Sequence, residues 1–260
     1  MSNISQSDII ADLHTHSLVS KHAYSTIEEN IKIAKERGIQ YLAITDHFFG
    51  NGDDIEKKNE VARIQYGTKR LQEHEKDIGL LYTAEFNIFQ MIENREKFKD
   101  LKFKPIGLHT WFVDFGKINF DDILNAFGVA IDFGHNAFCH IERDIYKLNT
   151  ESRKMFGNVY KEKDFINLLC DIVDFAADNN ILLEVNESSL LYKEMNSYSF
   201  VEPWLRRAKQ KRAFIYLGSD AHYSKEVGKF NNSIELLNKI QYPKELIVNC
   251  NKFLLDELFK

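Results

Sequence analysis

Cysteine, proline and glycine are scarce in this 260-residue chain, at three, three and twelve residues, and long apolar or single-sign runs are missing altogether. Cys139, Cys170 and Cys250 are odd in number and widely spaced, which excludes a disulfide framework or a zinc-ribbon pair and leaves reduced, buried thiols. With so few prolines, no Ser/Gly-rich linker, no fixed-period repeat and no break in composition, no domain boundary is visible, so residues 1–260 read as one domain. No apolar run approaches the roughly 18 residues of a membrane span. The start, MSNISQSD, lacks the basic-then-apolar pattern of a targeting segment, so the expected location is cytoplasmic with no membrane partner. The 34 basic and 39 acidic side chains are interspersed, for a net charge of −5, which argues against a nucleic acid as main partner.

What the chain does have is a 44% hydrophobic composition, enough for a large core, and nine histidines. Short apolar, β-branched runs at Ile9–Leu13, Tyr41–Thr45, Leu80–Thr83, Pro105–Leu108, Asn136–Cys139, Ile181–Val185 and Phe214–Leu217 predict buried strands. Helical periodicity fills the longer intervals, at Thr26–Arg37, Asp54–Asp77, Phe120–Asp132, Lys161–Asp178 and Ser224–Ile240. Gly38 and Gly79 sit where a helix C-cap is expected. About seven β/α units predict an α/β fold with a mainly parallel sheet. A doubly wound sheet and a barrel both remain open, the number of units favouring a closed or nearly closed barrel, and either gathers ligands at the C-terminal strand ends. The final run, ELIVNCNKFLLDELFK, predicts a last strand or turn and an amphipathic helix with Phe253, Leu254 and Leu258 on its apolar side.

The histidines fall at that edge. The first strand ends ADLHTHS, giving His14 and His16 on one side of an extended segment, with His22 a few residues on. The second ends ITDH (Asp46, His47), the third TAEFN (Glu85), the fourth IGLHT (His109), the fifth FCH (His140) and the seventh LGSDAH (Asp220, His222). A lone His-x-His is more often structural, but seven histidines and two carboxylates choosing one predicted edge point to metal. His74, in the charged run LQEHEKD, reads as solvated, and His135, at the opposite edge, as making a loop hydrogen bond. Nine ligands exceed the four that one zinc ion takes, so two or three divalent ions are implied. With imidazole and carboxylate donors, zinc is expected first and manganese or iron next. Carboxylates can bridge ions, and such clusters suit in-line hydrolysis of a phosphate ester.

DLHTHS, ITDH, the isolated histidines and GSDAH resemble the four motifs of the PHP (polymerase and histidinol phosphatase) family, at spacings that run along almost the whole chain. The stretches SKHAYSTIEENIKIAKERGIQYLAITDH, LEVNESSL and LGSDAHYSKEVG are most similar to its YcdX-type branch of single-domain phosphatases. The resemblance implies a distorted, TIM-like (β/α)7 barrel with a trinuclear centre hydrolysing small phosphate monoesters. It places His14, His16, Glu85 and Asp220 on one ion, Glu85, His109 and His140 on a second, and His22, His47 and His222 on a third. One departure is plain: many relatives read His-Pro-Gly at the fifth strand, whereas His140 is followed here by Ile141, Glu142 and Arg143.

The expected reaction is attack of a metal-bridging hydroxide on phosphorus, with the protein mainly holding the ions. Asp46 could orient the neighbouring imidazole or cap the next loop, and Asp12 has the same reading. Arg143, Lys21 and Lys225 are the nearest candidate phosphate contacts, and Asn186 faces either the pocket or a turn. Cys139 is expected to face away from His140, leaving no competing nucleophile. Histidinol phosphate is the alternative substrate. The alternative from another class is a non-catalytic metal-bound PHP module, against which stand the complete ligand set and the lack of an attached polymerase segment. Oligomeric state is not legible.

Overall fold

The computed structural model describes residues 3–48, 54–88, 95–109, 120–156, 161–191 and 197–259. Its strands pair in parallel throughout. β1 (Ala11–Thr15), β2 (Tyr41–Ile44) and β3 (Gly79–Tyr82) form one sheet, and β4 (Phe86–Asn87), β5 (Pro105–Gly107), β6 (Ala137–Phe138), β7 (Leu182–Asn186) and β8 (Ile215–Gly218) form the other. Helices α1 (Ile27–Glu36), α2 (Asp54–His74), α3 (Phe120–Asp132), α4 (Ile141–Phe156), α5 (Glu162–Asp178), α6 (Glu187–Leu190), α7 (Ser197–Lys211) and α8 (Asn231–Lys239) alternate with them, and α9 (Lys252–Phe259) ends the chain. Among the described residues no helix is long and apolar enough to cross a membrane.

The sheets meet at two isolated parallel bridges, His47 with Glu85 and Thr15 with Ala221. The second is held by the Asp220 N–H on the His14 carbonyl at 2.8 Å and the His16 N–H on the Ala221 carbonyl at 2.9 Å. Both bridges lie at C-terminal strand ends, so the residues that join the sheets are also the candidate ligands.

The strands are buried on both faces because helices cover one side and a second apolar cluster fills the other. On the helical side, α5 presents Phe165, Leu168, Leu169, Ile172, Val173 and Ala176 at helical spacing. The opposite strand faces supply Ala11, Leu13, Tyr41, Ala43, Leu81, Ala137 and Tyr216, over which α9 lays Leu255 with Leu254, Leu258 and Phe259. Phe253 is 72% exposed, so the helix turns its apolar face one position away from the predicted one. α1 starts at a reciprocal cap, Thr26 accepting from the Glu29 N–H and Glu29 from the Thr26 N–H, and ends before Gly38 at φ 75°. Its buried Asn30 donates to the His16 carbonyl at 2.8 Å, tying the helix to the site.

Gly79 is the first residue of β3 rather than a helix cap, and the Tyr41 ring fills the space where its Cβ would lie. The predicted helix from Ser224 begins at Asn231 instead, because the Glu226 carboxylate accepts from the His222 and Tyr223 N–H groups and Gly228 turns at φ 71°.

Candidate metal centre

Every candidate ligand but His22, which follows in the loop after β1, lies at or just beyond the C-terminal end of a strand: His14 near the end of β1 and His16 just after it, His47 after β2, Glu85 between β3 and β4, His109 after β5, His140 after β6, and Asp220 and His222 after β8. The third strand is split to achieve this. β3 stops at Tyr82 and pairing resumes at Phe86, and in the gap Glu85 turns inward and bridges to His47. His109, His140 and Asp220 have φ values of 44°, 32° and 54°, in the left-handed region that a side chain enters at a cost. A Cβ on Gly107 would come within 2.8 Å of the His140 ring and 2.9 Å of the His109 ring, so glycine is what lets the two imidazoles converge.

Glu85 is the centre of the arrangement. Its Oε2 lies 2.9 Å from His47 Nδ1 and 3.5 Å from both His14 Nε2 and His16 Nε2. Its Oε1 lies 2.9 Å from His109 Nε2 and against His140 Nε2. Asp220 Oδ1 lies 3.1 Å from His16 Nε2 and 3.6 Å from His14 Nε2. At the outer rim His22 Nε2 is 2.8 Å from His222 Nε2 and 3.3 Å from His47 Nε2. All nine predicted residues are thus brought together, with His47 facing both Glu85 and His22.

Their ring protons have destinations. His14 Nδ1–H donates to Glu184 at 2.7 Å, His16 Nδ1–H to Ser20 Oγ at 3.0 Å, His140 Nδ1–H to Asp144 at 3.1 Å and His222 Nδ1–H to the Asp220 carbonyl at 2.9 Å. Each of the four rings therefore leaves Nε2 as the nitrogen facing the cluster, where ring nitrogens such as those of His14 and His16 face each other at 3.0 Å. Neutral imidazoles cannot satisfy one another in that geometry, whereas a cation among them can. Groups of donor atoms able to hold an ion are His14, His16 and Asp220; His14, Glu85 and His140; His47, Glu85 and His109; His16, His47 and His222; and, at the back, His14, Cys139 and Glu184. Donors of this kind fit zinc, manganese or iron.

Charge follows the same pattern. Burial works against the Glu85 carboxylate, but His109, His47, His140 and His14 hold it well below the usual carboxylate range. Burial likewise opposes the Asp220 carboxylate, which Arg143, His14 and His16 keep ionised. For His14, burial pushes down and the carboxylates of Glu184, Asp220 and Glu85 more than offset it. His16 is driven well below its ordinary value by burial and by His47.

Supporting residues divide between those anticipated and those missed. Asp46 reaches His16: its Oδ1 accepts from Ser20 Oγ at 2.6 Å and from the Ser17 N–H at 2.7 Å, and its Oδ2 from Ser17 Oγ and Tyr82 Oη. Asp12 accepts backbone N–H groups of Ser219 and Gly228, at 3.0 and 2.7 Å, and so fixes β1 to the loop after β8. Asn186 fills both of its predicted roles, accepting from the Ser189 N–H at 2.8 Å and donating to Asp220 Oδ2 at 3.4 Å. Arg143 Nη1 donates to Asp220 Oδ2 at 2.5 Å, and its buried Nε has no hydrogen-bond partner among the described residues. Lys225 lies instead over the Tyr223 ring, 5.8 Å from the centroid, and Lys21 is exposed beside His22.

Cys139 does not face away. β6 ends at Phe138 and His140 turns at φ 32°, so strand alternation is broken and the thiol points at Glu85 Oε1, 3.6 Å off. Burial and the carboxylates around it push its pKa well up, which keeps it a protonated filler and not a nucleophile. Asp144 and Glu184 were missed. The sequence signals were a carboxylate one helical turn after His140 and a charged residue inside the apolar run of β7.

A PHP domain model matches residues 12–133, the stretch that carries His14 through His109. This first half of the chain is similar to a PHP domain. Over 96% of its length it is 29% identical to a protein of Clostridium acetobutylicum named a probable phosphatase, covering 94% of that protein. The protein named probable phosphatase YcdX of Shigella dysenteriae is 26% identical, with 92% of this chain and 89% of the other aligned. The same fold occurs in the crystal structure of histidinol phosphate phosphatase of Lactococcus lactis, complexed with zinc, L-histidinol and phosphate. It superposes with a TM-score of 0.59 at 18% identity, covering 90% of this chain and 94% of that one. The PHP domain match ends at Phe133, while His140, Asp220 and His222 come from the second half of the chain.

Proposed function

We propose that this chain is a metal-dependent phosphatase acting on a small phosphate monoester, with all of residues 1–260 as its catalytic unit. The observation that carries the reading is Glu85, a single buried carboxylate with five imidazole nitrogens turned toward it. That arrangement supports two to three divalent ions: His14, His16, Glu85 and Asp220 for one, Glu85, His109 and His140 for a second, and His22, His47 and His222 for a third. The bridges His47–Glu85 and Thr15–Ala221 support reading the two sheets as one distorted (β/α)7 barrel that carries the centre at one mouth. Ions held there supply Lewis acidity and an activated water.

The residues of the chain do the rest. Glu85 and Asp220 supply negative charge that balances the ions. Asp46, acting through Ser20, and Asp144 fix the rings of His16 and His140, so the centre needs no rearrangement when substrate enters. Arg143, on the first turn of α4, offers its remaining guanidinium donors to a phosphoryl oxygen beside Asp220. α4 starting at Ile141 replaces the His-Pro-Gly turn and is what brings Arg143 to the site. The relatives named probable phosphatases support the reaction class.

The test combines elemental analysis of protein purified without chelator with a panel of phosphomonoesters that includes histidinol phosphate. Two to three transition-metal ions per chain and metal-dependent release of phosphate are expected. A folded, metal-free chain, or one with metal but no hydrolysis of any ester, overturns the proposal.

A further inference from the structure

Glu184 is fully buried in β7, and both of its oxygens are engaged at the back of the candidate centre. One accepts from His14 Nδ1–H at 2.7 Å, and the other accepts the backbone N–H of His140, also at 2.7 Å. Placing a carboxylate where water cannot reach is costly unless its bonds compensate, and an uncharged residue would fill the same strand position more cheaply. Its value therefore lies in what it fixes.

Two consequences follow from the bonds themselves. A carboxylate can only accept, so His14 carries a proton on Nδ1 and leaves Nε2, the nitrogen facing His16, Asp220 and Glu85, as the one that can hold an ion. The second bond fastens the left-handed backbone of His140, whose Nε2 meets the other oxygen of Glu85. Gly218 on the neighbouring β8 makes this possible, since a Cβ there would run into the Glu184 carboxylate and the His14 Cβ. Three strand ends thus converge on one carboxylate that touches a residue from each of two ligand groups.

We propose that Glu184 is a positioning residue that sets the His14 tautomer and the His140 backbone together, coupling two ion positions of the centre. The inference rests on the metal-centre reading above. Glu184→Gln is the sharp probe, because it keeps the size and an acceptor for the His140 N–H but turns an amide NH2 toward His14 Nδ1. The ring then has to accept there and carry its proton on Nε2, where an ion would bind.

The experiment measures zinc affinity of the full chain and of Glu184→Gln by competition with a chromophoric chelator, alongside melting of both metal-free proteins. The variant is expected to melt within a few degrees of the parent and to bind zinc roughly 10–100-fold more weakly. Long-range 1H–15N spectra of the unchanged, zinc-loaded chain are expected to show His14 protonated at Nδ1. An unchanged chain that binds no zinc overturns the metal-centre reading itself. An unchanged chain that binds zinc, with Glu184→Gln matching its affinity, overturns the role of Glu184 alone. If Glu184→Gln does not fold, the spectrum of the unchanged chain decides: a His14 proton on Nε2 overturns the inference, and one on Nδ1 upholds it.

Discussion

His135 and His140 stand at opposite ends of the short strand β6, both buried, and their surroundings drive them in opposite directions. His135 donates through Nδ1 to the Lys104 carbonyl at 2.9 Å, packs edge-on to Phe86 and has no partner at Nε2 among the described residues. Burial carries its pKa down to about 4. Burial and Arg143 act in the same sense on His140, but Asp144 and Glu85 outweigh them and push it up to about 10. Removal from water is common to the two ends of the strand. The difference is carboxylate, and only the end that has it can gather positive charge, whether as protons or as metal ions.

The largest expected effect comes from removing that carboxylate at its centre. Glu85→Ala removes the carboxylate that five buried imidazoles share, and with it the proposed bridge between ion positions. Hydrolysis should fall about a thousandfold or more, the equivalent of roughly 4 kcal/mol, and more than one metal equivalent should be lost. Steady-state kinetics with elemental analysis checks this, and a variant that keeps its full metal complement would place the bridge elsewhere. Chelation of the unchanged chain should act in the same direction without mutation. Activity should vanish and return with zinc or manganese, and the melting temperature should drop, since an ion at about 1,000 times its Kd stabilises by roughly 4 kcal/mol.

At the other end of β6 the prediction concerns stability and not activity. His135 has a folded pKa near 4 against an ordinary 6.5, so the unfolded chain binds the extra proton first. Its contribution is therefore fully present above pH 6.5 and is lost as pH falls from 6.5 to 4, by about 3 kcal/mol. His135→Gln, which keeps a donor for the Lys104 carbonyl, should flatten that part of the pH dependence in urea melts and leave hydrolysis at pH 7 unchanged. A large loss of activity would break the contrast between the two ends.

How much of this could be read from sequence depends on what each feature required. The seven predicted strands recur within a residue or two because an apolar, β-branched run buried on both faces has few other fates. The candidate ligands were legible as a group because the strand ends that carry them all lead to one edge. What escaped depends on backbone turns that no side-chain pattern encodes. The break between β3 and β4 exists to swing Glu85 inward, and the left-handed φ of His140 is what brings Cys139 and His140 to the same side. Glu184 and Asp144 are acidic residues in an otherwise apolar strand and on a helical first turn. Their importance appears only once it is known which histidine stands opposite.

The smallest expected effect separates geometry from charge at the carboxylate-rich end. Arg143 reaches Asp220 through Nη1 and keeps Nε unpaired in a buried position, which is the disposition of a fork with one prong still to be used. Lysine in its place would preserve the positive charge that holds Asp220 ionised, and with it the ion positions, but would offer a single ammonium where two directed N–H groups stand now. Arg143→Lys should therefore retain the metal content of the unchanged chain while kcat/KM for a phosphate monoester falls about tenfold, the equivalent of roughly 1.4 kcal/mol. Loss of metal in this variant would mean that the guanidinium shapes the centre itself. Unchanged kcat/KM would mean that Arg143 serves Asp220 alone, and that the phosphoryl group is recognised without it.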